Sequence, residues 1–134
     1  MKNFQDINLL IGRVFIGIYF LLFGAIWKIF NYELTYNYMA NHDVPFINIA
    51  LIITILIQFF CSIGVIIGWH SKKSAFILAI LTVVISYYMH NFWDMAPSIH
   101  QEHELQNFIK NMGIMAGLLI LSSSNSGKYS FKSY

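Results

Sequence analysis

Four long apolar segments separated by short polar stretches dominate the chain, at about residues 7–30, 46–69, 74–93 and 105–122. A helix rises about 1.5 Å per residue, so each segment has roughly the length needed to cross the hydrocarbon core of a bilayer. Pro45 precedes the second segment and suits the start of a helix. The pattern predicts an all-α, integral membrane four-helix bundle that forms a single domain over residues 1–134. The Ser, Lys and Tyr-rich tail, residues 123–134, is predicted to be mobile.

Polar or small residues recur at helical spacing on every segment, so each predicted helix has one polar stripe on an apolar surface. The four stripes consist of Arg13, Gly17, Gly24 and Lys28; Thr54, Gln58 and Cys61; Thr82, Ser86 and His90; and Asn107, Lys110, Asn111 and Gly117. Because polar groups are costly in hydrocarbon, we expect the stripes to face the interior of the bundle.

The composition supports a membrane protein and excludes two other classes. Hydrophobic residues make up 57% of the chain and charged residues only 10%, against about 25% charged residues in soluble domains. The net charge of +2 is dispersed and forms no basic patch of the kind that nucleic-acid binding needs. With Cys61 as the only cysteine, an intramolecular disulfide and dithiol chemistry are both excluded.

The distribution of basic residues predicts the orientation. Cytoplasmic loops of membrane proteins carry an excess of Lys and Arg. One predicted face holds six of the eight basic residues, and the other holds Lys28 and Lys110 beside five acidic residues. The first set is Lys2, Arg13, Lys72, Lys73, Lys128 and Lys132. We therefore expect both termini to be cytoplasmic.

This orientation brings several polar and aromatic residues to the outer half of the bundle, with Gln58 near the midplane. Two ammonium groups, an imidazole and several amides under aromatic side chains suit an anionic or carbonyl-bearing ligand, such as a quinone head, a lipid head or a small oxyanion. The predicted ligand-binding residues are Lys28, Gln58, His90, Asn91, Trp93, Lys110 and Asn111. No catalytic set is evident, and His90 is the one candidate for acid–base chemistry.

Plainer interpretations exist for the same residues. Lys28 and Lys110 lie near helix ends, where lysine reaches to the membrane interface, and Trp93 fits an interfacial aromatic belt. His100 and His103 have acidic neighbours, but a hydrophilic loop explains them, and no metal site is predicted. The stripes as a whole could also serve only to hold the helices together.

Short motifs in a particular order identify a family resemblance. They are Arg13–Gly24 (RVFIGIYFLLFG) followed by Trp27–Phe30; Tyr38-Met39 before Val44-Pro45; Gly64 and Gly68 followed by Trp69 and a basic pair; His90–Trp93; and Phe108–Asn111 leading to Gly113 and Gly117. Each motif alone is weak, but the ordered set covers most of the chain and resembles the DoxX family of small four-helix bacterial membrane proteins. One departure is Gln58, because many relatives have a glutamate there.

The resemblance implies a bundle in the bacterial cytoplasmic membrane and a link to redox biology. A related branch resembles the small membrane subunit of thiosulfate:quinone oxidoreductase, and other members are associated with resistance to oxidative stress. The resulting hypothesis is a non-catalytic subunit or scaffold that binds a quinone or a lipid and docks a redox protein. The alternative is a small-molecule transporter or a membrane enzyme that uses His90 for proton transfer.

Two pairs of glycines at GxxxG spacing predict close approach between helices. They are Gly64 with Gly68 and Gly113 with Gly117, and such pairs let helix backbones touch in lipid. They also favour a homo-oligomer.

Overall fold

A computed structural model describes residues 2–131, which form five helices and no β-strand. The helices are α1, Lys2–Phe30; α2, Tyr32–Ala40; α3, Ile47–Ile67; α4, Ser71–Met89; and α5, Ile99–Ser123. Helix α1 contains a π-helical stretch, Phe20–Ile26, and a short 3-10 turn, Phe92–Asp94, follows α4. The all-α prediction is confirmed.

Within residues 2–131, three segments are long and apolar enough to span a bilayer: Lys2–Phe30, Ile47–Ile67 and Ser71–Asp94. Helix α5, the fourth of the long helices, is too polar in its first turns to qualify. It nevertheless lies antiparallel along the whole length of α4. Three contacts mark this pairing: Ser71 with Ser126 at one end (2.7 Å), Ser86 with Asn111 in the middle (3.0 Å) and His90 with Glu104 at the other end (2.6 Å). Helix α5 therefore covers the same distance as a spanning helix.

The interior of the bundle contains both apolar and polar side chains, and its outer surface is largely apolar. The buried polar or charged residues all belong to the interior: Arg13, Gln58, Ser62, Ser71, Thr82, Ser86 and Asn111. Large apolar side chains such as Phe15, Phe60 and Ile120 are exposed. This arrangement suits a surface in contact with lipid tails, because no hydrophobic penalty attaches to apolar exposure there. The inward direction predicted for the stripes is confirmed for buried members such as Gly24, Gln58 and Ser86, whereas Lys110 and Gly117 of the α5 stripe are exposed.

Two predicted helix boundaries were wrong. The sequence predicted that the third helix would continue to Trp93, but α4 ends at Met89 and the backbone leaves helical geometry at His90, where φ is −130°. The sequence also placed His100 and His103 in a hydrophilic loop. They lie instead in the first turns of α5, which begins at Ile99 because the Ser98 hydroxyl accepts a hydrogen bond from the Gln101 amide (3.2 Å).

The other boundaries also moved. Helix α1 begins at Lys2, five residues before the predicted start, and α3 covers Ile47–Ile67 in place of residues 46–69. The predicted link between the first two spans contains α2, whose Met39 packs on Leu51 and Ile55 of α3. Helix α2 thus covers one end of the bundle.

The described part of the C-terminal tail contacts the bundle, and the predicted mobility of residues 123–134 stays a prediction. The amide of Phe131 donates to the carbonyl of Ile67 (2.8 Å), and the amide of Lys128 donates to the carboxylate of Asp6 (3.1 Å). The start of α1 and residues 124–131 therefore lie at the same end of the bundle. Residues 132–134, including Lys132, lie outside the described part of the chain. Which side of the membrane this end faces stays a prediction.

Gly68 shows why this end needs a residue without a side chain. Its φ of +80° lies in the left-handed region, and a Cβ there would collide with the Arg13 guanidinium and with Ser130. Arg13 is 1% exposed and donates to the Tyr129 carbonyl (2.5 Å). The end of α3, the Arg13 side chain and the tail thus pack in one small volume.

Candidate ligand-binding site

A cavity of about 160 Å³ lies between α1, α3, α4 and α5, toward the end of the bundle that is opposite to the termini. Five of the seven predicted ligand-binding residues line it: Lys28, Gln58, His90, Lys110 and Asn111. Helices α1, α3 and α5 contribute residues of their own to this group. Helix α4 contributes through His90, the residue directly after its end. Sequence positions up to 83 residues apart therefore meet at one site.

Lys28 and Gln58 form the best-defined contact in the cavity wall. The Lys28 ammonium donates to the Gly24 carbonyl (2.7 Å) and to Gln58 Oε1 (2.8 Å). Because an ammonium has three hydrogens, one remains for a ligand. A Cβ on Gly24 would lie only 2.9–3.1 Å from the Gln58 amide, so glycine is what lets this amide lie against α1. With Oε1 taken by Lys28, the Gln58 Nε2 group remains as a donor.

Asn111 lies on the opposite wall of the cavity, and the Ser86 hydroxyl orients its side chain. Thr82 donates to the Leu78 carbonyl, and Ser86 donates to the Thr82 carbonyl, both at 2.7 Å. Because Ser86 has used its only hydroxyl proton, it must accept from Asn111 Nδ2 (3.0 Å). The Asn111 Oδ1 atom therefore remains as an acceptor, and the second Nδ2 hydrogen remains as a donor.

His90 is fixed by a carboxylate. Its Nδ1 lies 2.6 Å from Glu104 Oε2, and both side chains are largely buried, with 16% and 21% exposed. A carboxylate on one ring nitrogen orients the imidazole and leaves Nε2 as the nitrogen that can meet a ligand.

Burial raises the pKa of Tyr38, and the charge of Glu104 raises it further. Helix α2 therefore lies close to this pair.

Asn91 and Trp93, the other two predicted residues, do not line the cavity. Asn91 donates to Asp94 (3.2 Å) within its own turn. The Trp93 ring packs edge-on against Phe108, with centroids 5.7 Å apart. Gln101 donates to two carbonyls of the same loop. Both predicted residues therefore help to hold the loop that carries His90.

Several residues of the site were not predicted. Tyr19, Phe20 and Phe23 of α1 line the cavity in place of Trp93. Two of them lie in the π-helical stretch, a feature that is frequent at functional sites and that has no simple sequence signal. Glu104 was recognised only as an acidic neighbour of the outer lysines, because its contact with His90 requires α5 to begin several residues before the apolar segment does.

The two sides of the cavity offer different groups. The α1 and α3 side offers the Lys28 ammonium and the Gln58 amide nitrogen, whereas the α4 and α5 side offers the Asn111 amide and the second ring nitrogen of His90. The exposed Lys110 adds a second positive charge at the rim. Within residues 2–131, no group of three or more His, Cys, Asp or Glu side chains is placed to hold a metal ion. This site suits hydrogen bonding and electrostatic binding of a small polar group.

Comparison with known proteins decides the family. The DoxX family model matches residues 8–91, which is more than half of the chain. The chain belongs to the DoxX family. Two relatives from Escherichia coli K12 match almost end to end. Inner membrane protein YqjF is 30% identical over 132 residues (97% of this chain and 93% of the relative), and inner membrane protein YphA is 27% identical over 126 residues (94% and 89%).

No solved structure matches the chain. The family, the inner-membrane relatives and the apolar helices together identify a multi-pass protein of the bacterial inner membrane. The family match covers Lys28, Gln58 and His90 of the cavity, whereas Lys110 and Asn111 lie beyond it.

Proposed function

We propose that this DoxX protein is a non-catalytic membrane subunit or scaffold that binds the polar head of a quinone or of a lipid in the cavity between its four long helices. The observation that carries the proposal is the convergence of Lys28, Gln58, His90, Lys110 and Asn111 on one cavity. Polar groups inside a membrane protein mark binding sites or ion pathways by default, since they are costly there.

The size and the polarity of the cavity support a head group as the ligand. A volume of about 160 Å³ corresponds to about five water molecules. It is smaller than pockets that enclose a whole drug-sized ligand, which begin at about 300 Å³. A quinone carbonyl or a phosphate oxygen would accept hydrogen bonds from Lys28 and Gln58. A quinol hydroxyl could donate to Asn111 Oδ1 on the opposite wall.

The test is to isolate the protein in its native lipid and to measure what it retains. We expect a quinone or an anionic lipid to co-purify at close to one molecule per protein, and Lys28→Met to lower that amount at least fivefold. Lys73→Met is the matched control, because this exposed lysine lies on α4 at the opposite end of the bundle. Extraction and mass spectrometry identify and quantify the bound molecule.

Retention of nothing above the bulk lipid composition, or equal retention by both lysine variants, would refute the proposal. The identity of the retained molecule separates its two forms. Quinone would support the redox role and a redox protein as partner, which rest so far on the family resemblance, whereas phospholipid alone would leave a lipid-binding scaffold. Either form is compatible with a homo-oligomer.

One observation favours a second candidate function, a transporter or membrane enzyme that uses His90 for proton transfer. The contact of His90 Nδ1 with Glu104 at 2.6 Å holds the ring with its other nitrogen free, as in acid–base sites where a carboxylate orients a histidine. Histidine is also the side chain that changes charge between about pH 5 and 8.

Proton flux in proteoliposomes, followed with a pH-sensitive dye, tests this second candidate. It predicts a flux that depends on pH between about 5 and 8, that is abolished by His90→Gln and that is reduced by Glu104→Gln. His103→Gln is the control, because His103 is exposed on α5 and does not line the cavity. A flux unchanged by His90→Gln would rule out the transporter.

A further inference from the structure

The four long helices are packed unequally, and one side of the bundle is open. Helix α1 packs on α3, α3 packs on α4, and α4 packs on α5, whereas α1 and α5 barely touch within residues 2–131. We call the space between them the α1–α5 seam. It faces the surrounding bilayer, because both helices expose large apolar side chains there or nearby, among them Phe15 and Ile120.

A second cavity, of about 310 Å³, lies in this seam toward the end that holds the termini. Its walls are mostly apolar and come from α1, from α5 and from the residue that follows α5. The polar lining residues are Asn8, Arg13 and Ser124. Gly12 and Gly117 also line it. A Cβ added to either glycine would meet no atom within 4 Å, so these glycines leave open space that no part of the described chain fills.

The two cavities follow one another along the same two helix faces. On α1, Phe20 lines the polar cavity and Ile16 lines the apolar one. On α5, Ile114 lines the polar cavity and Gly117 the apolar one. Residues three or four apart share a helix face, so about one helical turn, near 5 Å, separates the cavities. A polar cavity and an apolar one therefore follow one another along the seam.

We propose that the α1–α5 seam holds the apolar chain of the ligand whose head occupies the polar cavity, and that the ligand enters sideways from the bilayer. This inference rests on the proposed head-binding function and specifies its ligand as an amphiphile, with an oxygen-bearing head and one flexible chain. From Ile114 to Ser124 the seam offers a path of about 15 Å, at about 1.5 Å per residue.

A second copy of the protein fits this seam less well than a chain does. A helix with its side chains is about 10–12 Å wide, and the apolar cavity is recessed between two helices. A single hydrocarbon or isoprenoid chain is narrow enough to enter. The position of the polar cavity about one helical turn away also supports a chain, because an amphiphile has a polar head next to its apolar chain.

The contribution of the chain to binding should be moderate. Moving a chain from lipid tails into an apolar seam gains little hydrophobic free energy, because both surroundings are apolar. The gain comes from packing and from attachment to a fixed head. We therefore expect the chain to strengthen binding about fivefold to tenfold, since packing is the main force between apolar groups in lipid.

The experiment compares probes with and without a chain on the full-length protein in phosphatidylcholine nanodiscs. The first pair is a benzoquinone without a side chain and the same quinone with an isoprenoid chain, and the second pair is glycerol phosphate and lysophosphatidylglycerol, which has a single acyl chain. Gly117→Leu fills the seam. Ala116→Leu is the matched control, because Ala116 is exposed on the same helix and lines neither cavity. Mass spectrometry of the retained probe gives each dissociation constant, and light scattering gives the oligomeric mass.

We expect Gly117→Leu to weaken binding of the chain-bearing probe at least fivefold and to leave the chainless probe unaffected, while Ala116→Leu changes neither. Equal affinity of wild type for both members of a pair, or equal effects of the two leucine variants, would overturn the inference and leave head binding intact. A fall in oligomeric mass with Gly117→Leu, at unchanged affinity, would assign the seam to a second copy. Absence of binding by every probe would refute the proposed function as well. The pair that binds distinguishes a quinone from a phospholipid.

Discussion

Lys28 is a partly buried cation that is held by one side-chain amide and one backbone carbonyl. Its ammonium is held by Gln58 Oε1 at 2.8 Å and by the Gly24 carbonyl at 2.7 Å, inside a bundle with apolar outer surfaces. Removing one partner of a buried charge lowers stability by more than the contact itself contributes. Replacing both partners by apolar groups can leave stability unchanged. This supports the proposed role of Lys28 in ligand binding, because apolar packing would serve stability as well or better.

A double-mutant cycle tests this view of Lys28. Gln58→Leu alone should lower the free energy of unfolding by about 1–3 kcal/mol, because it leaves the ammonium with one partner fewer. Adding Lys28→Met should recover most of the loss, since no buried charge remains. Thermal unfolding in detergent gives the stability of the single and double variants. A double variant less stable than Gln58→Leu would show that Lys28 has a structural role.

Pairs of helices in this bundle approach one another to different extents. The space around two glycines, Gly64 and Gly113, shows this difference. At Gly64 an added Cβ would lie 2.7 Å from Ser74 Oγ and 3.0 Å from the Trp69 carbonyl, so α3 and α4 are in close contact there. At Gly113 an added Cβ would meet nothing within 4 Å. Both glycines belong to GxxxG pairs, yet only the first is used for packing within the described chain.

Alanine at these two glycines should therefore have opposite effects. Gly64→Ala should destabilise the protein by about 1–3 kcal/mol through overpacking against the start of α4. Gly113→Ala should raise stability by about 0.5–1 kcal/mol, because alanine is the better helix former and has space. Unfolding midpoints in detergent measure both changes. A loss of stability in Gly113→Ala would reveal that another chain or a ligand packs against Gly113.

The molecule as a whole has two unlike ends. One end holds the start of α1, the Arg13 side chain and the attached tail, and the other holds α2 and the polar cavity with its His90–Glu104 contact. The excess of basic residues at the first end predicts that this end is cytoplasmic. The cavity then opens near the outer surface of the inner membrane.

Cysteine labelling tests this orientation. In a Cys61→Ser background, His103→Cys should react with a membrane-impermeant maleimide in intact spheroplasts, because His103 is exposed near the cavity end. Lys73→Cys, exposed at the other end, should react only after permeabilisation. A gel-mobility shift measures both. The reverse pattern would place both termini outside the cytoplasm.

The sequence predicted the secondary structure and the inward stripes well, because lipid imposes a simple rule on every residue. Apolar runs must be helices, and polar residues such as Gln58, Thr82 and Ser86 must turn away from the tails. Five ligand-binding candidates meet in one cavity for this reason. Asn91 and Trp93 lie elsewhere because α4 ends at Met89, and a helix end inside an aromatic run has no hydropathy signal.

By itself, then, the sequence determined the class, the four long helices and the face that each turns inward, since these depend on residue types at helical spacing. Only the tertiary structure decided which stripes touch. It paired Lys28 with Gln58 and His90 with Glu104, attached the tail to α3, and left α1 apart from α5. The physical reason is that every apolar helix face is equally satisfied by lipid. The choice among neighbours therefore depends on side-chain shapes and hydrogen bonds that form only when helices distant in sequence pack together.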